Sequence, residues 1–404
     1  MTLLSIWLIA AGPLWAVVGG TLMPRRYRKL GLDPRLTGMA ATLWGAAMGP
    51  LVLIYLYLRT PDLRHKPFLW TWLPALFLAY ELVSFYSLAY PTSPLVTNPL
   101  YLLNQVQNGL AMGFVYAIMA VGLTLIFSVQ GIINFAHGQL FMFGGVIGYL
   151  LLTQVLEVNA FFAIPVVGVL ALVVGLFIEK ALLAPLHKGD IERPEEYAIL
   201  ITFGVGLFLQ YALVGMLGSP TGIRAPRYTD RPPLESIPST LRFGDFWIRT
   251  DILIAGLIGL ILFLALILFL QRTWTGKTLR AVAMNQQAAT VTGIDSGRAF
   301  NLAFGIGIML TGMAGATLVA VMNFPVPELA TRAAIRAYVI IVLGGLGSLP
   351  GTLLGGLFLG VAESLVAAGF PDPSRSATYQ TAAGLFLFAI ILLIRPQGLM
   401  GRKK

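Results

Sequence analysis

The stretch MGFVYAIMAVGLTLIFSVQGIINFAHGQ, Met112 to Gln139, runs apolar for most of its length and then places Gly131, Asn134, His137, Gly138 and Gln139 in close succession. An unbroken apolar helix would tolerate none of those last residues without a reason. Around this stretch the whole chain of 404 residues is 57% apolar and 11% charged, with a mean hydropathy of +0.82. An ordinary globular domain carries about 25% charged residues, and a helix needs about 20 apolar residues to cross a bilayer. Such runs recur along the chain. Backbone groups facing lipid must pair within their own segment, so the fold class expected is an all-α, polytopic integral membrane helical bundle.

Spans are expected near residues 2–20, 38–58, 68–90, 102–127, 160–178, 197–217, 252–271, 299–322 and 381–395. Two glycine-rich apolar stretches, 132–155 and 337–368, are broken or re-entrant candidates. Lys and Arg gather in short connections, so the net charge of +10 reads as an orientation signal rather than a nucleic-acid footprint. Arg272, Lys277, Arg280 and Arg298, together with Arg395, Arg402, Lys403 and Lys404, assign the 271–298 loop and the C-terminus to the cytoplasm. The first apolar run has no Lys or Arg before it and RRYRK after it, the reverse of a cleavable leader, so a retained first span is expected.

On that orientation the 337–368 stretch starts and finishes on the outer side. Its 32 residues are too few for two crossings of about 20 each, which suggests a re-entrant pair broken at GGLGSLPG, Gly344 to Gly351. The same count makes 132–155 dip in and return. Reversing the first three spans, which the basic loop with Arg59, Arg64 and Lys66 also allows, makes it an ordinary crossing.

Non-helical chain at membrane depth survives where it is buried in protein or lines a wet cavity. Asn134, His137, Gly138 and Gln139 are therefore candidates for a translocation pathway, with helix-to-helix hydrogen bonding as the plainer alternative. Gly344, Gly345 and Gly347 are candidates for the same cavity, although four-residue glycine spacing also serves close helix packing. Glu363 should face the bundle interior or a helix end, and so should Glu81. The other histidines, His65 and His187, lie in distant loops, and cysteine is absent, so no metal site and no thiol chemistry is expected.

The polar segment RTWTGKTLRAVAMNQQAATVTGIDSGRAF, from Arg272, predicts one helix over Thr278 to Thr290, a stop at Gly293 and a cap for the next helix at Asp295 or Ser296. Such a helix suits docking of a soluble partner, or it rests on lipid headgroups as a connector.

Three stretches, NGLAMGFVYAIMAVGLTLIFSVQGIINFAHGQLFMFGG, TGKTLRAVAMNQQAATVTGID and YVIIVLGGLGSLPGTLLGGLFLGVAES, closely resemble the permease subunits of ABC importers for branched-chain amino acids, over roughly residues 104–400. The resemblance implies a transport subunit rather than an enzyme, in the plasma (inner) membrane. It also implies two ABC ATPase subunits, a second homologous permease and an extracytoplasmic substrate-binding protein as partners. The loop carrying Gly276, Arg280, Gln287, Ala288, Ala289 and Gly293 is similar to the coupling loop on which the ATPases dock. Where the general importer pattern has Glu-Ala-Ala, three residues and Gly, this chain has Gln287, Ala288, Ala289 and Gly293. No Gly-x4-Gly-Lys-Ser/Thr loop occurs, so ATP is not bound here in that way and no cofactor is expected.

Residues 1–100, with three expected spans, are an N-terminal extension to a core at 101–404 of about eight membrane segments. Related permeases carry urea or short-chain amides. A carrier of another class, an ion-coupled secondary transporter, requires paired ionisable groups at mid-membrane, and Glu81, His137 and Glu363 read as isolated.

Overall fold

A computed structural model describes residues 93–401, apart from 156–157, 188–190, 219–221, 245, 325, 370–372 and 395–396. The chain divides into two units, Met1–Leu102 and Leu103–Lys404. The three spans expected before residue 93, and Glu81 with them, lie outside the described residues.

The main described elements are α1 (Pro99–Gln130), α2 (His137–Leu150), α3 (Ala160–Ile178), α4 (Pro194–Leu217), the hairpin β1–β2 (Thr240–Phe243, Phe246–Arg249), α5 (Thr250–Arg272), α6 (Trp274–Met284), α7 (Gln286–Val291), α8 (Ser296–Val319), α9 (Glu328–Gly344), α10 (Leu349–Gly369) and α11 (Pro373–Ile394), all but the first turn of α1 lying in the second unit. Among the described residues seven helices are long and apolar enough to cross a membrane, and a shorter apolar helix lies within α11 at Tyr379–Ile390. This is the all-α polytopic bundle that hydropathy anticipates.

Helix α8 is the hub. Apolar segments gain little from leaving lipid for one another, so close approach through small residues has to hold them together. Gly307 of α8 meets Gly122 of α1, Gly312 meets Gly144 of α2, and Gly305 lies under Leu176 of α3. A second seam joins α1 to α10. A methyl group on Gly109 would stand 2.6 Å from Val361 Cα, and one on Gly360 would stand 2.6 Å from Gly113 Cα. The hydroxyls of Thr124 and Thr352 bond at 2.8 Å on the same seam.

Side-chain bonds fix which segment ends share a level. Gln130 at the end of α1 donates to Phe300 O near the start of α8 (2.8 Å), and Asn301 donates to Glu179 beyond the end of α3 (3.2 Å). These residues form one end of the bundle, with α6 and α7. At the opposite end the 222–249 connection is riveted to the helix ends. Tyr228 is wholly buried and donates to Thr317 O (3.0 Å), Asn159 donates to Tyr228 O (2.6 Å), and Arg231 donates to Leu152 O (2.8 Å). Burial pushes the Tyr228 phenol well above its usual range, so it keeps the proton that it donates.

The second glycine-rich break falls where expected, with Gly345 and Gly347 at φ +101° and +82° between α9 and α10. The length differs. Helix α9 starts at Glu328, ahead of the apolar run, so the pair is longer than the 32 residues from which re-entry was inferred. Arg332 and Arg336 interrupt the hydropathy and placed the start too late. The break also reaches the α6–α7 end of the bundle, where Ser128 donates to Gly347 O at 3.3 Å, and α10 alone has 21 residues.

Candidate functional site

Residues 131–136 leave the end of α1 and turn back into the bundle without helical structure. His137, which opens α2, donates from Nε2 to Met119 O at 2.9 Å, since a carbonyl can only accept. Met119 precedes Gln130 by about 16 Å of helix, so the irregular chain climbs to mid-depth before α2 begins. From there α2 and a π-helical turn, Leu151–Val155, continue to the opposite end. The expectation of irregular backbone at membrane depth thus holds for residues 131–136, and the rest of the 132–155 stretch runs on as helix.

The backbone of this climb is clamped from two sides. Thr202 of α4 accepts from Phe135 N (3.1 Å), and Tyr338 of α9 donates to Asn134 O (3.0 Å). Asn134 and His137 are fully buried, and Asn134 Oδ1 accepts from Ala136 N. Gln139 faces Gln210 of α4 at 3.4 Å. Gly138 leaves room for the backbone of Ala330 in α9. Among the described residues Asn134 Nδ2, His137 Nδ1 and Gln139 Oε1 have no hydrogen-bond partner. The four residues therefore join α1, α2, α4 and α9 at one level, and each of the three polar side chains keeps one unmatched atom.

Glu363 is not isolated. Arg336 of α9 donates from Nε to its Oε1 at 2.8 Å, with side chains 12% and 4% exposed, and the guanidinium lies 4.8 Å from the ring centre of Tyr116 on α1. Sequence reading missed this pair because Arg336 sits just outside the apolar run that was read as a unit. A buried ionisable pair does exist, contrary to the expectation of lone groups. Arginine does not release its proton in proteins, however, so this pair cannot shuttle one as a carboxylate–histidine pair could.

Gly344 packs on Gly351 across the break, and Gly345 lies against Gly401 and Gln397 O. The segment 397–401 caps α9, with Leu399 N donating to Leu343 O (2.8 Å) and Met400 N to Gly344 O (3.0 Å). These are carbonyls that a helix end leaves unpaired. Gly398 and Gly401 were the signal for this strap, and it passed unread. Gly344, Gly345 and Gly347 thus sit at a packed turn by the α6–α7 end, away from the mid-depth level of His137, and Glu363 meets neither group.

The polar segment after α5 forms two helices rather than one. Asn285 breaks the run, and its Oδ1 accepts from Ala288 N (3.0 Å). Asn competes with helical bonding in this way and favours caps. Gly276 packs on the last turn of α5, while Leu279, Val282 and Ala289 face inward. Trp274, Met284 and Val291 are 84%, 83% and 88% exposed, and Arg280, Gln287 and Ala288 are exposed beside them. Lys277 lies 5.0 Å from the Trp274 ring centre. Gly293 takes φ +87°, and Asp295 caps α8 by accepting from Arg298 N (3.0 Å), as expected.

The family described as "Branched-chain amino acid transport system / permease component" matches residues 105–395. The high-affinity branched-chain amino acid transport system permease protein BraD of Pseudomonas aeruginosa is 33% identical over 315 residues, 74% of this chain and 96% of its own. The corresponding protein LivH of Escherichia coli is 28% identical over 313 residues, 75% of this chain and 96% of its own. A probable LivH of Methanocaldococcus jannaschii is 26% identical over 286 residues, 70% of this chain and 88% of its own. With so much of its length matched, and an apolar helical bundle to carry the match, this chain belongs to the permease components of branched-chain amino acid transport systems.

Proposed function

We propose that the chain is the membrane-spanning permease subunit of an ATP-driven ABC importer for branched-chain or other hydrophobic amino acids, in the plasma (inner) membrane. Two ABC ATPases supply the energy, a second homologous permease completes the passage, and an extracytoplasmic binding protein delivers the substrate. The C-terminus and α6–α7 face the cytoplasm, and the 222–249 end faces the binding protein. Residues 1–100 are an extension to the core, since the family match begins at residue 105.

The observation that carries this reading is the exposed face of α6–α7. Three large apolar side chains, Trp274, Met284 and Val291, stand almost free on a structured element between two membrane helices. Large apolar side chains left exposed along a short polar connection suit an interaction surface. The reverse side of the same element, through Gly276, Leu279 and Ala289, is tied to the bundle. A push on the outer face therefore reaches α5 and α8 directly. Asn134, His137, Gly138 and Gln139 lie along the passage on this reading, where the irregular chain gives α1, α2, α4 and α9 a shared joint. Gly344, Gly345, Gly347 and Glu363 support the wall that closes it.

The test is uptake by the complete assembly in proteoliposomes. ATP-dependent accumulation of labelled leucine is expected, with unlabelled valine and isoleucine competing and urea, acetamide and ribose failing to compete. Competition by urea or acetamide, with none by valine, would replace the amino acid by a short amide as the cargo.

A further inference from the structure

Three amide side chains near the start of α1 take no part in the features above. Asn104 is fully buried and Asn108 is 9% exposed. Asn104 Oδ1 accepts from Trp247 N of β2 at 3.2 Å, which fixes the orientation of that amide. Among the described residues its Nδ2 then has no partner, and neither do Gln107 Nε2, Gln107 Oε1 or Asn108 Oδ1, all of them buried atoms. An unmatched buried polar atom has lost its water without compensation, and in native proteins few are tolerated without a role. Here four of them stand within five consecutive residues.

Their direction is set by the helix. Asn104, Asn108 and Gly122 share one face, and Gly122 packs on Gly307 of α8, the hub. Gln107 shares a face with Ala111 and Phe114, which lie against Gly256 and Gly259 of α5. Leu103 and Leu110, four residues before Gln107 and three after it, are exposed and mark the outer edge of that face. Asn104 thus faces β2 and Gln107 lies on the face that packs against α5, at the end that carries the β1–β2 hairpin and the 222–249 connection.

The chemistry of the unmatched atoms is specific. Asn104 Nδ2 and Gln107 Nε2 donate, while Gln107 Oε1 and Asn108 Oδ1 accept, and none carries charge. An α-amino acid presents a carboxylate that needs donors beside an ammonium that needs acceptors. Neutral amides serve both, without the strong hold of an ion pair that would impede passage. We propose that Asn104, Gln107 and Asn108 form a receiving site for the α-ammonium and α-carboxylate groups of a zwitterionic amino acid. The assignment rests on the importer reading given above, and places the first contact of the released substrate on α1.

The experiment uses the complete assembly in proteoliposomes, with leucine uptake measured at saturating binding protein and thermal melting measured on the same purified samples. Gln107→Met and Asn108→Leu keep side-chain size and remove the unmatched groups. Maximal uptake should fall about tenfold in each, the effect of losing about 1.4 kcal/mol of interaction, while the melting temperature stays level or rises. Uptake within twofold of wild type overturns the proposal. So does a lowered melting temperature in both variants, because it would show that the amides hold the helices together. A wild-type assembly that moves no amino acid overturns the importer reading itself, whereas active wild type with equally active variants overturns the receiving site alone.

Discussion

Ala288→Arg is expected to abolish ATP-driven uptake, while the isolated subunit melts at the wild-type temperature. Ala288 is exposed on α7, beside Gln287 and between the exposed Met284 and Val291. Removing a central contact of an interface costs about 2 kcal/mol or more, and a charge with no partner there costs further. A factor of about 30 in ATPase affinity follows from the first effect alone. Ala288 is exposed, so the larger side chain leaves the fold intact. Its neighbour Ala289 gives the contrast. It is buried, and its carbonyl accepts from both Ile294 N (3.1 Å) and Thr292 Oγ1 (2.8 Å). A charge at Ala289 should therefore damage the subunit itself. Pull-down of the ATPases by each purified variant, alongside its melting curve, separates the two. Wild-type ATPase capture by Ala288→Arg would remove α7 from the docking surface.

Glu363→Ala has the largest expected effect on the fold. It leaves Arg336 buried beside Tyr116 with no counter-charge, and arginine cannot escape by deprotonation. Breaking a buried pair from one side costs about 3–5 kcal/mol, whereas replacing both partners by apolar residues of similar size is often close to neutral. Glu363→Ala should therefore lose most of its folded yield in detergent, and the double variant Arg336→Met with Glu363→Leu should recover it. The comparison also separates a structural pair from a transport pair. If the double variant folds and also transports, the ions serve only to hold α9 against α10. A Glu363→Ala subunit as stable as wild type would show that the pair contributes little to that packing.

These two sites illustrate how far the sequence could be read. The membrane class, the break after Gly131, the break at Gly344–Gly351, the stop at Gly293 and the cap at Asp295 were legible, because each rests on a local property such as hydropathy, glycine geometry or a capping side chain. Arg336 was not. Its partner lies 27 residues away across a turn, and two arginines at the head of α9 disguised the first half of that helix as a loop. Asn285 was local but ambiguous, since asparagine is tolerated within helices and also ends them. The 397–401 strap depends on carbonyls at the end of α9, which no periodicity in the last residues could reveal. The unmatched amides of α1 were hidden for a related reason. Asparagine and glutamine in an apolar run are legible as residues, but whether their atoms find partners is decided only by packing.

The central claim is that this bundle supplies a passage and that its energy enters through α6–α7 from separate ATPases. Labelled leucine uptake by proteoliposomes holding this chain alone, under an imposed proton or sodium gradient and without nucleotide, tests it most directly. Accumulation no greater than in protein-free liposomes is predicted, with uptake appearing only when the companion subunits and ATP are added. Gradient-driven accumulation by the chain alone would contradict the account.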